Sequence, residues 1–226
     1  MNWTNFRRVF GLLLLAASLV ALLWGFWPLP IQERSLVITP AEMLPAELTL
    51  GATGDPSAIA KPRFLLLEWP ALLRTGDPAS IRLAFGPAAQ EGASPPVSAP
   101  AGGAYSVLAQ ARLELPAISH TPVGQVSQAL LPGRPVTFVW DLLPDRAGEA
   151  GGTVWLHLHF LPASSGPDLR QVLTAQRVQV RVVEFFGLSG PWARALGSAG
   201  VVVGVVLGLD GIALRIWQWL VRKSGG

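Results

Sequence analysis

His157 and His159 stand two residues apart in a stretch that alternates apolar with polar residues, so both imidazoles point to one face of a strand, beside Trp155. Two imidazoles placed in this way can approach one metal ion, copper or zinc. A third ligand is then required. His120, Asp141 and Asp145 are the candidates, and none stands at a metal-motif spacing. Paired histidines on an exposed β face more often stack or hydrogen-bond with their neighbours. A metal or small-ligand binding module on this face is therefore the alternative reading of the chain.

Other chemistry is scarce. The chain has no cysteine, which removes disulfides, thiol nucleophiles, Cys-ligated zinc and iron–sulfur clusters together. It carries no nucleophile elbow, phosphate loop, or haem or dinucleotide fingerprint. Glu68 and Glu184 are isolated in apolar surroundings with no partner evident in the sequence. Neither catalysis nor a cofactor is expected.

The remaining residues of interest lie in apolar surroundings near the C-terminus. Gly200, Gly204 and Gly208 recur every four residues and so share one helix face, with valines filling the rest of the segment. A glycine ridge lets a second helix approach closely. Its partner is the first apolar segment of the same chain, a second protomer or a foreign subunit. Asp210 is a carboxylate in the same segment, where ionisable residues are costly. It stands five residues before Arg215, and the plainer account is that it reaches the interface, partly offset by that arginine.

The elements that hold these residues begin with two apolar stretches, one at each end. Val9 to Trp27 has 19 residues without a charge, which as a helix spans roughly 30 Å, the thickness of a bilayer's hydrocarbon core. A cleaved signal peptide also has a basic flank such as Arg7 and Arg8, but its apolar region is shorter. Trp24, Phe26, Trp27 and Pro28 occupy the zone where a small-residue cleavage site would lie. An uncleaved anchor is expected. Ala195 to Leu214 forms the second stretch, interrupted only by Asp210.

Arg7 and Arg8 precede the first stretch, while Arg215, Arg222 and Lys223 close the second. Both ends carry the cytoplasmic mark, which puts the middle outside. The expected organisation is a cytoplasmic tail at 1–8, a transmembrane helix at 9–29, an extracytoplasmic domain at 30–188, a second transmembrane helix at 189–216 and a cytoplasmic tail at 217–226. Trp217 and Trp219 suit an inner interfacial belt and Trp192 an outer one. From Ile31 to Phe186 there are 11 Lys and Arg against 13 Asp and Glu, so the formal +3 of the chain comes from the membrane flanks. Without a basic patch in the folded part, nucleic acid is not an expected partner.

Between the spans the period is two. Val154, Leu156, Leu158 and Phe160 alternate with Thr153, Trp155, His157 and His159, and Val178, Val180 and Val182 alternate with Arg177, Gln179 and Arg181. Val136, Phe138 and Trp140, Ile81 to Phe85, and Tyr105 to Leu115 repeat the pattern, which half-buried antiparallel strands produce. Pro- and Gly-rich turns at Thr75 to Pro78, Pro132 to Pro135 and Gly148 to Gly152 separate them. Ser35 to Thr39, Ala46 to Ala52 and Arg63 to Trp69 are shorter candidates. Seven to nine strands without a helix predict an all-β, antiparallel two-sheet sandwich flanked by two transmembrane helices. Gly86 to Gly103 and Leu161 to Asp168 read as surface loops.

The stretch from Pro132 to Phe186 resembles the last strands of bacterial immunoglobulin-like surface domains. A Pro-Gly turn leads to a strand with Phe138 and Trp140, then a Gly-containing loop, a strand with Trp155 and a Val-rich final strand. The cysteine pair of antibody domains is missing, and the resemblance implies an immunoglobulin-like layout only. The expected role is an accessory or scaffolding subunit, partnered by the lipid bilayer and by other membrane subunits or further copies of itself.

Overall fold

The structure, a computed structural model, describes residues 3–45, 61–87, 105–131, 133–162 and 166–224, and the side chains of those between 6 and 207. The chain divides into two compact units: Leu29–Leu73 with Pro78–Val182, and Met1–Pro28 with Arg74–Asp77 and Val183–Gly226.

The first unit is mostly β. Its strands are β1 (Ile31–Ile38), β2 (Arg63–Pro70), β3 (Leu72–Arg74), β4 (Ala79–Pro87), β5 (Tyr105–Glu114), β6 (Ser119–Thr121), β7 (Gln125–Ala129), β8 (Val136–Leu143), β9 (Gly148–Pro162) and β10 (Leu169–Val183). They form two five-stranded sheets, ordered β1-β2-β4-β8-β6 and β3-β10-β9-β5-β7. The alternation seen in the sequence becomes the burial pattern. Leu65, Leu83, Phe138 and Trp140 from one sheet join Ala109, Leu156, Phe160 and Val180 from the other in a single buried cluster. Removing this apolar surface from water is the main force holding the sheets together. Side chains add hydrogen bonds between the sheets. Trp69 Nε1 donates to the Gln179 carbonyl at 3.2 Å, and Gln128 Nε2 donates to the Thr137 carbonyl at 2.8 Å.

The strands differ from the expected set in several places. Gly148 to Gly152, expected as a turn, is the start of β9, paired from Gly148 opposite Val182 to Gly152 opposite Val178. A Cβ at Gly152 would strike the Glu114 carbonyl and come within 2.8 Å of the Leu115 side chain, so the glycine marks close backbone approach inside a strand. β3, β6 and β7 are too short or too polar to show a period in the sequence. A four-residue helix, α2 (Pro40–Met43), was also unforeseen. The candidate strand Ala46 to Ala52 and most of the Gly86 to Gly103 loop lie outside the described residues.

The second unit contains two long helices, α1 (Trp3–Phe26) and α3 (Gly190–Ser224). Phe6–Phe26 and Gly190–Leu207 are long and apolar enough to cross a membrane. α3 continues through 217–224, where the sequence reading places a tail, because no glycine or proline interrupts it between Ile212 and Ser224.

Candidate functional site

Small residues make the helix contact. On α1 the buried positions are Gly11, Ser18, Ala21 and Gly25, and on α3 they are Gly190, Ala193, Gly197 and Gly204, with Gly200 half-buried. The steps are seven, three and four on α1 and alternate three and four on α3, a seven-residue repeat that keeps one seam facing the partner. A Cβ on Gly197 would lie 2.9 Å from the Leu22 side chain. On Gly200 it would collide with the Ser18 hydroxyl, and on Gly204 it would lie 2.9 Å from the Leu15 Cβ and 3.0 Å from the Gly11 carbonyl oxygen. Gly200 and Gly204 thus sit against α1 of the same chain. Gly197 belongs with them, and the seven-residue spacing of Gly190, Gly197 and Gly204 was the signal for it. Gly208, Asp210 and Arg215 belong to α3, and their surroundings lie beyond the described side chains.

At one end of this seam the chain contributes Arg74-Thr75-Gly76-Asp77. The last carbonyls of a helix have no intrahelical donor, and its first N–H groups have no acceptor. Arg194 donates from Nη1 to the Gly25 carbonyl at 3.1 Å, and Arg74 donates from Nη2 to the Trp27 carbonyl at 2.6 Å. Two guanidinium groups therefore satisfy the C-terminus of α1, where the helix dipole also favours cations. The Gly190 N–H at the start of α3 donates to the Thr75 carbonyl at 2.9 Å. The Asp77 carboxylate packs so closely on Gly190 that a Cβ there would lie 2.6 Å from either oxygen. An anion at a helix N-terminus is the dipole's preferred complement.

Asp77 accepts two hydrogen bonds from Arg194, at 2.9 and 2.5 Å, and faces Arg74 Nη1 at 3.9 Å. Arg74 also lies over the Trp24 ring at 5.0 Å from its centroid, and Arg194 over Phe26 at 5.8 Å. Burial pulls the Arg74 guanidinium below its ordinary pKa, with Asp77 opposing that shift and Arg194 adding to it. Glu184, which the sequence left unpaired, accepts a hydrogen bond from the Thr75 hydroxyl at 3.2 Å. Sequence reasoning saw only a turn here.

Between the last strand and α3 lies a minimal hairpin. Phe185 and Leu188 exchange both backbone hydrogen bonds, at 3.0 and 2.9 Å. The two residues of its loop have positive φ, 50° for Phe186 and 79° for Gly187, as in two-residue hairpin loops that favour Asn-Gly. Phe186 is 93% exposed. Phe185 meets the Trp24 ring at 5.2 Å and the Phe186 ring edge-on at 5.0 Å.

His157 and His159 share the outer face of the β3-β10-β9-β5-β7 sheet, and Trp155 stacks on His157 at 6.2 Å. Both nitrogens of His159 are engaged: Nδ1 lies 3.3 Å from Gln110 Nε2, and Nε2 lies 3.1 Å from Asp168 Oδ2. His120 and Asp141 are on the other sheet, and Asp145 is in the β8–β9 turn. The carboxylate brought to the pair is instead Asp168. Among the described residues no three His, Asp or Glu side chains form a group that could hold a metal. Partial burial, with Arg170 adding to it, pushes the His157 pKa down, which favours its neutral form.

No family model matches the chain, and no curated protein matches it. Among solved structures it is similar to an ASH/PapD-like domain of human CEP192, with 11% identity over 50% of this chain and 78% of that one and a TM-score of 0.32. A chain of the human seminal-plasma complex of zinc 2-glycoprotein with prolactin-inducible protein is 14% identical, over 50% of this chain and 88% of that one, with a TM-score of 0.32. The native form of Escherichia coli alpha-2-macroglobulin is 12% identical, over 54% of this chain and 8% of that one, with a TM-score of 0.28.

Proposed function

We propose that the chain is a non-enzymatic two-span membrane protein that holds its β-sandwich, immunoglobulin-like in layout, outside the cytoplasmic membrane. There it serves as an accessory or scaffolding subunit that binds other proteins. The seam between α1 and α3 is the observation that carries the two-span part of the reading. Small residues and polar end-caps are used up within the chain, while Leu13, Val20, Leu23, Val202 and Val206 remain exposed on the outer faces. Such a surface is unsuited to water and suited to lipid. Arg7 and Arg8 early in α1, and Arg215, Arg222 and Lys223 late in α3, favour cytoplasmic termini.

The experiment has two parts. A reporter that fluoresces only in the cytoplasm, fused after Gly226, should be bright, and one active only outside should work when inserted near Ala93. Extraction in mild detergent should then recover a defined complex with other membrane proteins. A mature chain beginning after Trp27 overturns the double anchor. A lone species carrying stoichiometric copper overturns the accessory role in favour of the metal module.

A further inference from the structure

We infer that the Phe185–Leu188 hairpin is a third membrane contact, an aromatic finger whose tip, Phe186, lies at the headgroup–acyl boundary of the outer leaflet. The inference rests on the two-span reading of α1 and α3 and adds a site to it. Depth carries the argument. Trp24 stands two residues before the end of the Phe6–Phe26 span, so it lies roughly 3 Å inside the end of the helix. Phe185 packs on Trp24 at 5.2 Å, and Phe186 follows at 5.0 Å. A helix of this length fills the hydrocarbon core, and the interfacial layer beyond it is roughly 5–7 Å deep on each side. Phe186 also stands just before the start of α3 at Gly190, which lies beside the end of α1, so the tip stays close to the helix ends where that layer begins.

Conformation and exposure point to the same occupant. A residue with φ of 50° is better served by Asn or Gly, and a bulky side chain there is strained. The ring is then left 93% exposed, so packing within the chain does not compensate for the strain. Trp27 and Trp192, 67% and 64% exposed, flank the same ends of α1 and α3. Aromatic rings gathered at one helix end match the belt found where membrane meets water. Lipid at the boundary covers all three rings, and anchors of this kind set the tilt and rotation of the helices beneath them.

The chain has no cysteine, so single probes can be placed without altering other sites. Phe186→Cys, Arg146→Cys and Val20→Cys would each carry an environment-sensitive fluorophore in full-length protein reconstituted into phosphatidylcholine–phosphatidylglycerol vesicles. Nitroxide lipids labelled near the headgroup should quench the probe at 186 several-fold more than lipids labelled at mid-chain. Aqueous iodide should quench it several-fold less than the probe at 146. Iodide quenching equal to that at 146 overturns the finger, and so does protection from both quenchers, which would mean that protein covers the tip. The probe at 20 tests the underlying reading. If mid-chain nitroxides leave it bright, α1 does not span and both claims fall. If it is quenched and 186 is not, only the finger falls. A second variant avoids the label: Phe186→Asn suits the turn and should raise the melting midpoint while abolishing crosslinking of that segment to photoreactive phospholipid. Crosslinking that persists unchanged in Phe186→Asn overturns the role given to the ring.

Discussion

Asp77 and Arg194, 117 residues apart in sequence, form a two-pronged ion pair, with side chains only 12% and 27% exposed. Each member also serves a helix end: Arg194 caps the last turn of α1, and Asp77 lies against the first residue of α3. Removing one partner of a buried pair leaves a charge without compensation, which typically costs about 3–5 kcal/mol. Asp77→Asn and Arg194→Gln should each lower the melting midpoint in mild detergent. The double variant should lose clearly less than the two losses combined, since no orphan charge remains. Additive losses would show that the pair is not coupled.

The glycine seam makes a different demand. Gly204→Leu should leave the protein in the membrane fraction and its particle size unchanged, because the helix it displaces belongs to the same chain. Thermal stability should fall by about 1–3 kcal/mol, the range for overpacked contacts. Gly200→Ala should be destabilising alone and rescued by Ser18→Gly, since the added methyl meets the Ser18 hydroxyl. A smaller particle for Gly204→Leu would mean that the ridge holds a separate subunit. No change in either quantity would mean that it holds nothing.

In the sandwich, Trp140 is fully buried and stacks with Phe138 at 6.3 Å. Trp140→Ala should cost about 3–5 kcal/mol through lost burial and the cavity left behind. Thermal unfolding of the full chain, followed by its β-sheet circular dichroism, measures this. An unaltered transition would mean that the core is not arranged around this ring.

Acid should weaken the sandwich through His157. Its ordinary pKa of 6.5 is lowered in the folded state by burial, with Arg170 adding to it. Between the two values the unfolded chain binds the proton more readily, so stability rises with pH there. The His157 contribution is therefore complete above pH 6.5, declines as the pH falls below it, and levels off under the lowered folded value. His157→Gln should flatten that part of the pH–stability curve. A slope that survives the substitution assigns it to another group.

How much of this was legible depended on the range of the interaction. Alternation along β8, β9 and β10 could be read because a strand with one dry face repeats every two residues, and Val154, Phe138 and Val180 are buried accordingly. The apolar length of α1 was equally local. β6 and β7 lack an apolar period because they are short edge strands, and Gly148 to Gly152 imitates a turn because glycine serves both tight turns and close strand packing.

Composition and spacing by themselves determined that this chain has two long apolar helices around a β domain, and that a glycine face exists on the second. Those properties arise from the pattern of side chains along one segment. Only the tertiary structure decided that Gly197, Gly200 and Gly204 meet Leu22, Ser18 and Leu15, that Asp168 rather than Asp141 reaches His159, and that Arg74 and Asp77 lie at the ends of two different helices. Each depends on groups that no local repeat relates. An unpaired carbonyl at one helix end and a cation far along the chain leave no periodic trace, and their match exists only once the chain has folded.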